Sequence, residues 1–297
     1  MSAPARPSTG VAAVMVAAAC YGCNIPFARL AGTMGMPGTD LVVLRASLLC
    51  AGIALAALLL RFPLAVRQSE RRTLLGLALA CAVIGPAYLT SVAFVPVGIA
   101  VMVFYTYPLI ILALSPLLDG TRLTPLRLAI FALAFAGIAL AIGPAAGGLD
   151  WRGLALAGLA SLGATAQFFF GARGPGGGGW ATVFWVNVAV LPVSLAASIA
   201  FGGPAGLAAL QAAAVPSAVT TLFFVAGLVL QLRGLRLAGA AASGLIFCLE
   251  PVVAIAVAAL VLGERLDLFQ YLGAALVLAA IALNFGFGAM RKEPAPA

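Results

Sequence analysis

One acidic side chain and one proline stand side by side inside a long apolar stretch, "IFCLEPVVA" at residues 246 to 254. Glu250 can exchange a proton or bind a cation, while Pro251 removes a main-chain hydrogen bond and bends a helix. A charged carboxylate at the centre of a membrane-spanning helix costs about 2.5 to 3.5 kcal/mol, so its presence needs a reason beyond insertion. Two interpretations stay open. Glu250 couples protons or contacts a substrate ammonium group in a cavity, or it is a neutral brace at the kink.

Tyrosines and amides in the other apolar stretches are further candidate binding groups. Phenol rings stack on apolar ligands while their hydroxyl groups form hydrogen bonds, although helix packing is the alternative role for any single tyrosine. Trp185 lies about one helical turn deeper than Trp180 and is a candidate. Arg45 is expected to snorkel or brace a loop near a helix end, with substrate binding as the alternative. The predicted binding residues are Tyr21, Asn24, Tyr88, Tyr105, Tyr107, Gln167, Trp185, Cys248 and Glu250.

Membrane-spanning helices must position these groups, because the chain is too apolar for a soluble domain. Its 297 residues are 64% apolar and only 8% charged. Apolar runs of about twenty residues are long enough to cross the roughly 30 Å hydrocarbon layer as helices. The sequence predicts an all-α membrane protein whose ten helices cover 10–31, 41–60, 73–95, 97–118, 126–143, 152–171, 181–201, 215–234, 239–262 and 268–289.

The basic residues predict the orientation of these helices. If both termini are cytoplasmic, Arg29, Arg152 and Arg265 face outward, and Arg45 lies within the second span. The remaining twelve then face the cytoplasm, namely Arg6, Arg61, Arg67, Arg71, Arg72, Arg122, Arg127, Arg173, Arg233, Arg236, Arg291 and Lys292. This bias follows the positive-inside rule, so we expect cytoplasmic termini in a cell inner membrane and no nucleic-acid partner.

The chain repeats itself at an offset of 143 residues. This shift lays "FYTYPLI" at 104–110 on "FCLEPVV" at 247–253, so that Pro108 meets Pro251 and Tyr107 meets Glu250. The division predicts two five-helix units, residues 1–147 and 148–297. Because five is odd, the second unit enters the membrane from the opposite side, and inverted repeats of this kind place a transport site between them. The paired prolines are candidate kinks for gating, with fixed kinks that only shape packing as the alternative.

The segment at 247–284, with its mid-helix proline, Gly-Glu turn and last helix of small residues, resembles the end of the second repeat in EamA-type transporters of the drug/metabolite transporter superfamily. Within it, the chain is similar to the YddG aromatic amino acid exporters and to threonine and homoserine exporters. The resemblance implies a cavity lined chiefly by spans 1, 3, 4, 6, 8 and 9, with spans 5 and 10 more peripheral. The first repeat has Leu118-Asp119-Gly120-Thr121 where the second has Gly263-Glu264, so the turn glutamate of the family is absent from the first copy.

Several other function classes are disfavoured. The chain has no histidine and a single acid at mid-membrane, so we expect neither an enzyme nor a metal or other cofactor. The glycine run at 173–180 lacks the Lys-Ser/Thr of a phosphate loop and is expected to be a flexible connection. The predicted function is export of aromatic or other largely apolar amino acids across the inner membrane. Threonine, homoserine, another small metabolite or a drug is the alternative substrate, and a membrane scaffold is the alternative from another class.

Overall fold

The structure is a computed structural model that describes residues 7–143, 150–174, 179–200 and 203–290. The described residues are almost all helical and contain no β-strand, as the sequence predicts. Arg6, Arg291 and Lys292 lie outside these residues, as does the middle of the glycine run. The helices of the first half are α1 (Pro7–Thr33), α2 (Gly38–Leu60), α3 (Arg71–Ser91), α4 (Val97–Phe104), α5 (Tyr107–Leu118) and α6 (Pro125–Ile142). Those of the second half are α7 (Trp151–Ala172), α8 (Gly179–Ala200), α9 (Leu207–Ala212), α10 (Ala214–Ala238), α11 (Ala240–Phe247), α12 (Leu249–Leu262) and α13 (Leu268–Met290).

Ten segments within the described residues are long and apolar enough to span a membrane, which confirms the predicted number. Helices α4 and α5 together form the fourth span, α11 and α12 form the ninth, and the short α9 connects α8 to α10. With ten spans, α1 begins and α13 ends at the same face of the bundle, here called the terminal face. The opposite face is called the far face. That the terminal face is cytoplasmic stays a prediction.

Local side-chain contacts fix several helix ends at the two faces. The hydroxyl group of Thr124 accepts the Arg127 N–H at 3.2 Å and caps α6, and the Asp150 carboxylate accepts the Arg152 N–H at 2.8 Å and caps α7. Asp40, near the start of α2, is 6% exposed and accepts from the Ser198 hydroxyl and from the main-chain N–H of Ala205 at 2.7 Å. Asp40 therefore ties α2 to the end of α8 and to the segment that follows it.

The packing of the helices follows the internal repeat. In the 143-residue offset α7 is the counterpart of α1, and α10 is the counterpart of α3. Helix α1 packs along α10, and α7 packs in the same way along α3. Two other pairs of counterparts pack directly on each other, α2 on α8 and α6 on α13. This pattern fits two inverted five-helix repeats that face each other across the bundle.

Candidate functional site

The fourth and ninth spans are both interrupted near their middle, at repeat-equivalent positions. Tyr105 and Thr106 form the turn between α4 and α5, and Cys248 forms the turn between α11 and α12. Pro108 and Pro251 follow these turns by two to three residues. Proline has no main-chain N–H, so neither can donate to the carbonyl group four residues earlier. Each interruption thus leaves one carbonyl oxygen without its usual helical donor, and such groups are tolerated in a membrane where they line a cavity or pack on protein.

A cavity lies beside these two interruptions, between the two repeats. It encloses about 210 Å³. Pockets for drug-sized ligands usually have about 300 to 1,000 Å³, so the size favours a small metabolite. The polar and charged lining residues are Tyr21, Asn24, Arg45, Cys81, Tyr107, Gln167, Asn187, Gln231 and Glu250, and the aromatic ones without a polar group are Phe104, Phe168, Phe224 and Phe247.

The lining comes from eight of the ten spans. Spans 1, 3, 4, 6, 8 and 9 all contribute, as the family resemblance implies, and none of the lining residues comes from α6 or α13. Spans 2 and 7 also contribute, with Val42 and Arg45 on α2 and with Val186, Asn187 and Val190 on α8. The cavity is thus lined by two more spans than the resemblance implies.

Many lining residues are related by the repeat. The offset pairs Asn24 with Gln167, Phe104 with Phe247, and Tyr107 with Glu250, and all six line the cavity. Phe104 and Phe247 are also the residues whose carbonyl groups lose their donors to the two prolines. The cavity therefore lies on the pseudo-two-fold axis of the molecule, where the two interrupted helices meet.

A continuous series of aromatic rings follows the cavity wall. Successive centroids are 5.0 to 5.8 Å apart, within the range of favourable ring contacts. The series runs through Tyr88, Phe104, Tyr107, Phe168, Phe247, Tyr21 and Phe224. It offers an apolar surface with phenol groups at intervals, which suits a ligand that has an apolar side chain and a polar end.

Glu250 lies in the first turn of α12 and lines the cavity. The Tyr105 side chain, at the other interruption, is close enough to interact with the Glu250 carboxyl group. The position of Glu250 depends on close packing of α12 against α1. A Cβ atom added at Gly22 would lie 2.7 Å from the Glu250 main-chain oxygen and 2.6 Å from the Val253 Cβ. Only glycine at this position lets the two helices approach so closely.

The cavity amides are held by neighbouring side chains. Tyr21 donates its hydroxyl to Gln231 Oε1 at 3.0 Å, and Gln167 Nε2 donates to the sulfur of Cys81 at 3.4 Å. The Thr220 hydroxyl contacts both the main-chain and the side-chain oxygen of Asn24. These contacts fix the polar groups in place before a ligand arrives.

Four of the predicted binding residues do not line the cavity. Tyr105 and Cys248 are 4% and 2% exposed and lie behind it at the interruptions, while Tyr88 packs on Phe104. Trp185 is 42% exposed on the outside of α8, and its N–H donates to the Leu64 carbonyl group at 2.8 Å. The predicted inward orientation of Trp185 is not found, because depth along a helix does not determine which side of the helix faces the cavity.

Arg45 is the main cavity residue that the sequence reasoning misjudged. Instead of snorkelling or bracing a loop, its guanidinium lies over the Phe224 ring, 3.7 Å from the centroid, in the cavity wall. Asn187 and the four phenylalanines were also missed. For Phe104 and Phe247 a signal was available, since the 143-residue offset pairs them next to the matched prolines.

The cavity is closed on the side of the terminal face. Leu74 and Leu77 on α3 pack with Val183 on α8 and Leu232 on α10 in a buried apolar cluster. Helix α3 packs along α8, whereas the repeat-equivalent pair, α10 and α2, forms no comparable interface in the described ranges. The structure is therefore asymmetric, with the two repeats in different arrangements.

A ten-span bundle with a polar cavity between two facing repeats has the architecture of a secondary transporter. The model of the EamA-like transporter family matches the chain twice, at residues 8–143 and 151–286. Both the starts and the ends of these matches are 143 residues apart, the offset seen in the sequence. The protein belongs to the EamA-like transporter family, within the drug/metabolite transporter superfamily.

Two known proteins illustrate the likeness. An uncharacterized transporter of Synechocystis sp. is 29% identical over 232 residues, which cover 73% of this chain and 69% of that protein. A solved crystal structure superposes with a TM-score of 0.72 at 18% identity and covers 94% of this chain and 99% of that one. The first supports membership of a transporter family, and the second supports the fold alone.

Proposed function

We propose that the protein exports amino acids with aromatic or other largely apolar side chains across a cell inner membrane. The observation that carries the proposal is the cavity at the two interrupted helices, which an acidic side chain and a series of aromatic rings both line. Glu250 is suited to an ammonium group, and the cavity-lining rings from Phe104 to Phe224 are suited to an apolar side chain. The small volume of the cavity favours a single amino acid over a larger drug.

Export would proceed by alternating access. The cavity is closed at the terminal face by contacts of α3 with α8 and of α5 with α11, whose repeat equivalents are not formed at the far face in the described residues. If each repeat adopted the arrangement that the other has in this structure, the far face would close and the terminal face would open. The interruptions before Pro108 and Pro251 allow the halves of each broken helix to move separately. We place the division between the two repeats after residue 147.

Counterflow in proteoliposomes tests the substrate class. Liposomes loaded with one unlabelled amino acid should accumulate the same labelled amino acid, with phenylalanine, tyrosine and leucine exchanging faster than threonine or homoserine. The experiment is run at two pH gradients, which separates proton-driven from downhill flux. Exchange of a chemically unrelated metabolite without exchange of any amino acid would refute the proposal.

Glu250→Gln distinguishes the two roles of this carboxyl group. If Glu250 contacts the substrate ammonium group, counterflow by the variant should be at least about tenfold slower. If Glu250 couples protons, counterflow by the variant should no longer depend on pH. If Glu250 is a neutral brace, glutamine keeps the hydrogen bonds and the activity. Glu264→Gln is the matched control, because Glu264 lies on the same chain segment but at the far face, paired with Arg29 at 2.6 Å.

A further inference from the structure

Arg45 is a half-buried cation in the cavity wall with no anionic partner among the residues that the structure describes. It is the eighth residue of α2, about 10 Å along the helix from its start at the far face. Among the described residues, no carboxylate or other hydrogen-bond acceptor contacts its guanidinium; the Phe224 ring lies against one face of the group. A guanidinium carries five N–H donors, and an aromatic face satisfies none of them as a hydrogen bond.

The surroundings of Arg45 are arranged for an anion. Phe224 and Thr220 are four residues apart on α10, so their side chains are neighbours on one helix face. Thr220 holds Asn24, and Phe224 supports Arg45, which brings an amide and a guanidinium side by side at the cavity wall. A planar guanidinium binds a carboxylate through two parallel hydrogen bonds, and an amide N–H can add a third.

Glu250 lines the same cavity as this pair and forms no ion pair with Arg45 in the described residues. Tyr21 lies within electrostatic range of both Arg45 and Glu250, and all three side chains line the cavity. Neither group has a charged counterpart in the repeat, since the offset pairs Arg45 with Val188 and Glu250 with Tyr107. The repeat thus relates one aromatic pair, Phe104 and Phe247, and one amide pair, Asn24 and Gln167, whereas the two charged residues of the cavity are unmatched.

We propose that Arg45 binds the substrate carboxylate and that Arg45 and Glu250 together select zwitterions in a single orientation. The inference rests on the proposed function and adds to it. An α-amino acid presents its carboxylate to Arg45 and its ammonium group to Glu250, while its side chain lies on the aromatic wall. Amines without a carboxylate, or acids without an ammonium group, leave one charge of the cavity unpaired and are rejected.

A series of phenylalanine analogues tests this inference on the unaltered protein. Counterflow of labelled L-phenylalanine is competed with unlabelled L-phenylalanine, with phenethylamine, which lacks the carboxylate, and with 3-phenylpropionate, which lacks the ammonium group. Both truncated analogues should compete at least about tenfold more weakly than phenylalanine. Equal competition by phenethylamine would overturn the role of Arg45, although transport of amino acids would still stand.

Arg45 variants supply the second arm. Arg45→Gln should reduce the discrimination between phenylalanine and phenethylamine to within about twofold, and Arg45→Lys should retain part of it, because an ammonium group cannot form the two-pronged contact. This ratio does not depend on how much of the variant folds. Arg29→Gln, which removes an arginine outside the cavity, is the control and should discriminate as the unaltered protein does.

The outcomes separate the two proposals. Discrimination that persists in Arg45→Gln would refute the carboxylate site while leaving amino acid export intact. If the unaltered protein exchanges no amino acid of the panel, the proposed function fails and the inference falls with it.

Discussion

The close contact of α12 with α1 at Gly22 offers a direct test of how the site is positioned. In Gly22→Ala the new Cβ would meet Val253 Cβ at 2.6 Å and the Glu250 main-chain oxygen at 2.7 Å. Favourable contacts between carbon atoms begin near 3.5 Å, so α12 must retreat by about 1 Å. Overpacking of this kind costs about 1 to 3 kcal/mol of stability.

The same displacement carries Glu250 away from its place in the cavity. A charge-assisted hydrogen bond contributes about 1.5 to 3 kcal/mol, and losing roughly half of it lowers substrate affinity by up to about tenfold. We therefore expect Gly22→Ala to lower the thermal unfolding temperature in detergent. We also expect it to raise the substrate concentration that gives half-maximal counterflow. Both measurements use the same purified protein.

Gly32→Ala is the matched control for this change. Gly32 lies on the same helix, and an added Cβ there has no atom within 4 Å. Its stability should change by less than about 0.5 kcal/mol, and its transport should be unaltered. If Gly22→Ala and Gly32→Ala behave alike in both assays, the close approach of α12 to α1 is not what positions Glu250, and the reasoning fails.

Three further predictions concern stability and are checked by unfolding in detergent. Asp40→Ala should destabilise the protein by about 2 to 4 kcal/mol, because it leaves the donors of Ser198 and Ala205 unpaired. The control Asp119→Ala, at an exposed residue, should cost less than about 1 kcal/mol, and equal losses in the two variants would contradict this account. Glu264→Gln should cost no more than about 1 kcal/mol and less still at high salt, because its partner Arg29 is largely exposed; a larger, salt-independent loss would contradict it. Gly273→Ala should cost about 1 to 3 kcal/mol, because the new Cβ would lie 2.5 Å from main-chain atoms of α6; unchanged stability would show that α6 and α13 can separate freely.

Only part of the candidate site could be predicted from the sequence. Tyr21, Asn24, Tyr107, Gln167 and Glu250 were predicted from residue type and depth, and all five line the cavity. Their binding role stays a prediction. Residue type and depth served less well for charged and large aromatic side chains, since a long side chain near a helix end can reach solvent, lipid or the cavity.

Arg45 and Trp185 show where such reasoning stops. The sequence placed Arg45 near a membrane surface and Trp185 toward the interior, and the structure has Arg45 in the cavity wall and Trp185 half-exposed on the outside. In a soluble helix, an apolar stripe would reveal which side faces the core. Here the helices are apolar on all sides, and lipid tails are as apolar as Leu side chains, so hydrophobicity does not report the orientation.

The sequence by itself determined the number of spans, the two interruptions and the 143-residue repeat. These properties follow from the length of apolar runs, the missing N–H of proline and self-similarity along the chain, all of which are local. Only the tertiary structure decided which face of each helix lines the cavity, which face of the bundle is closed, and that Arg45 and Glu250 share one cavity. Those features arise from close packing between helices distant in sequence, and no single span contains the information that sets them.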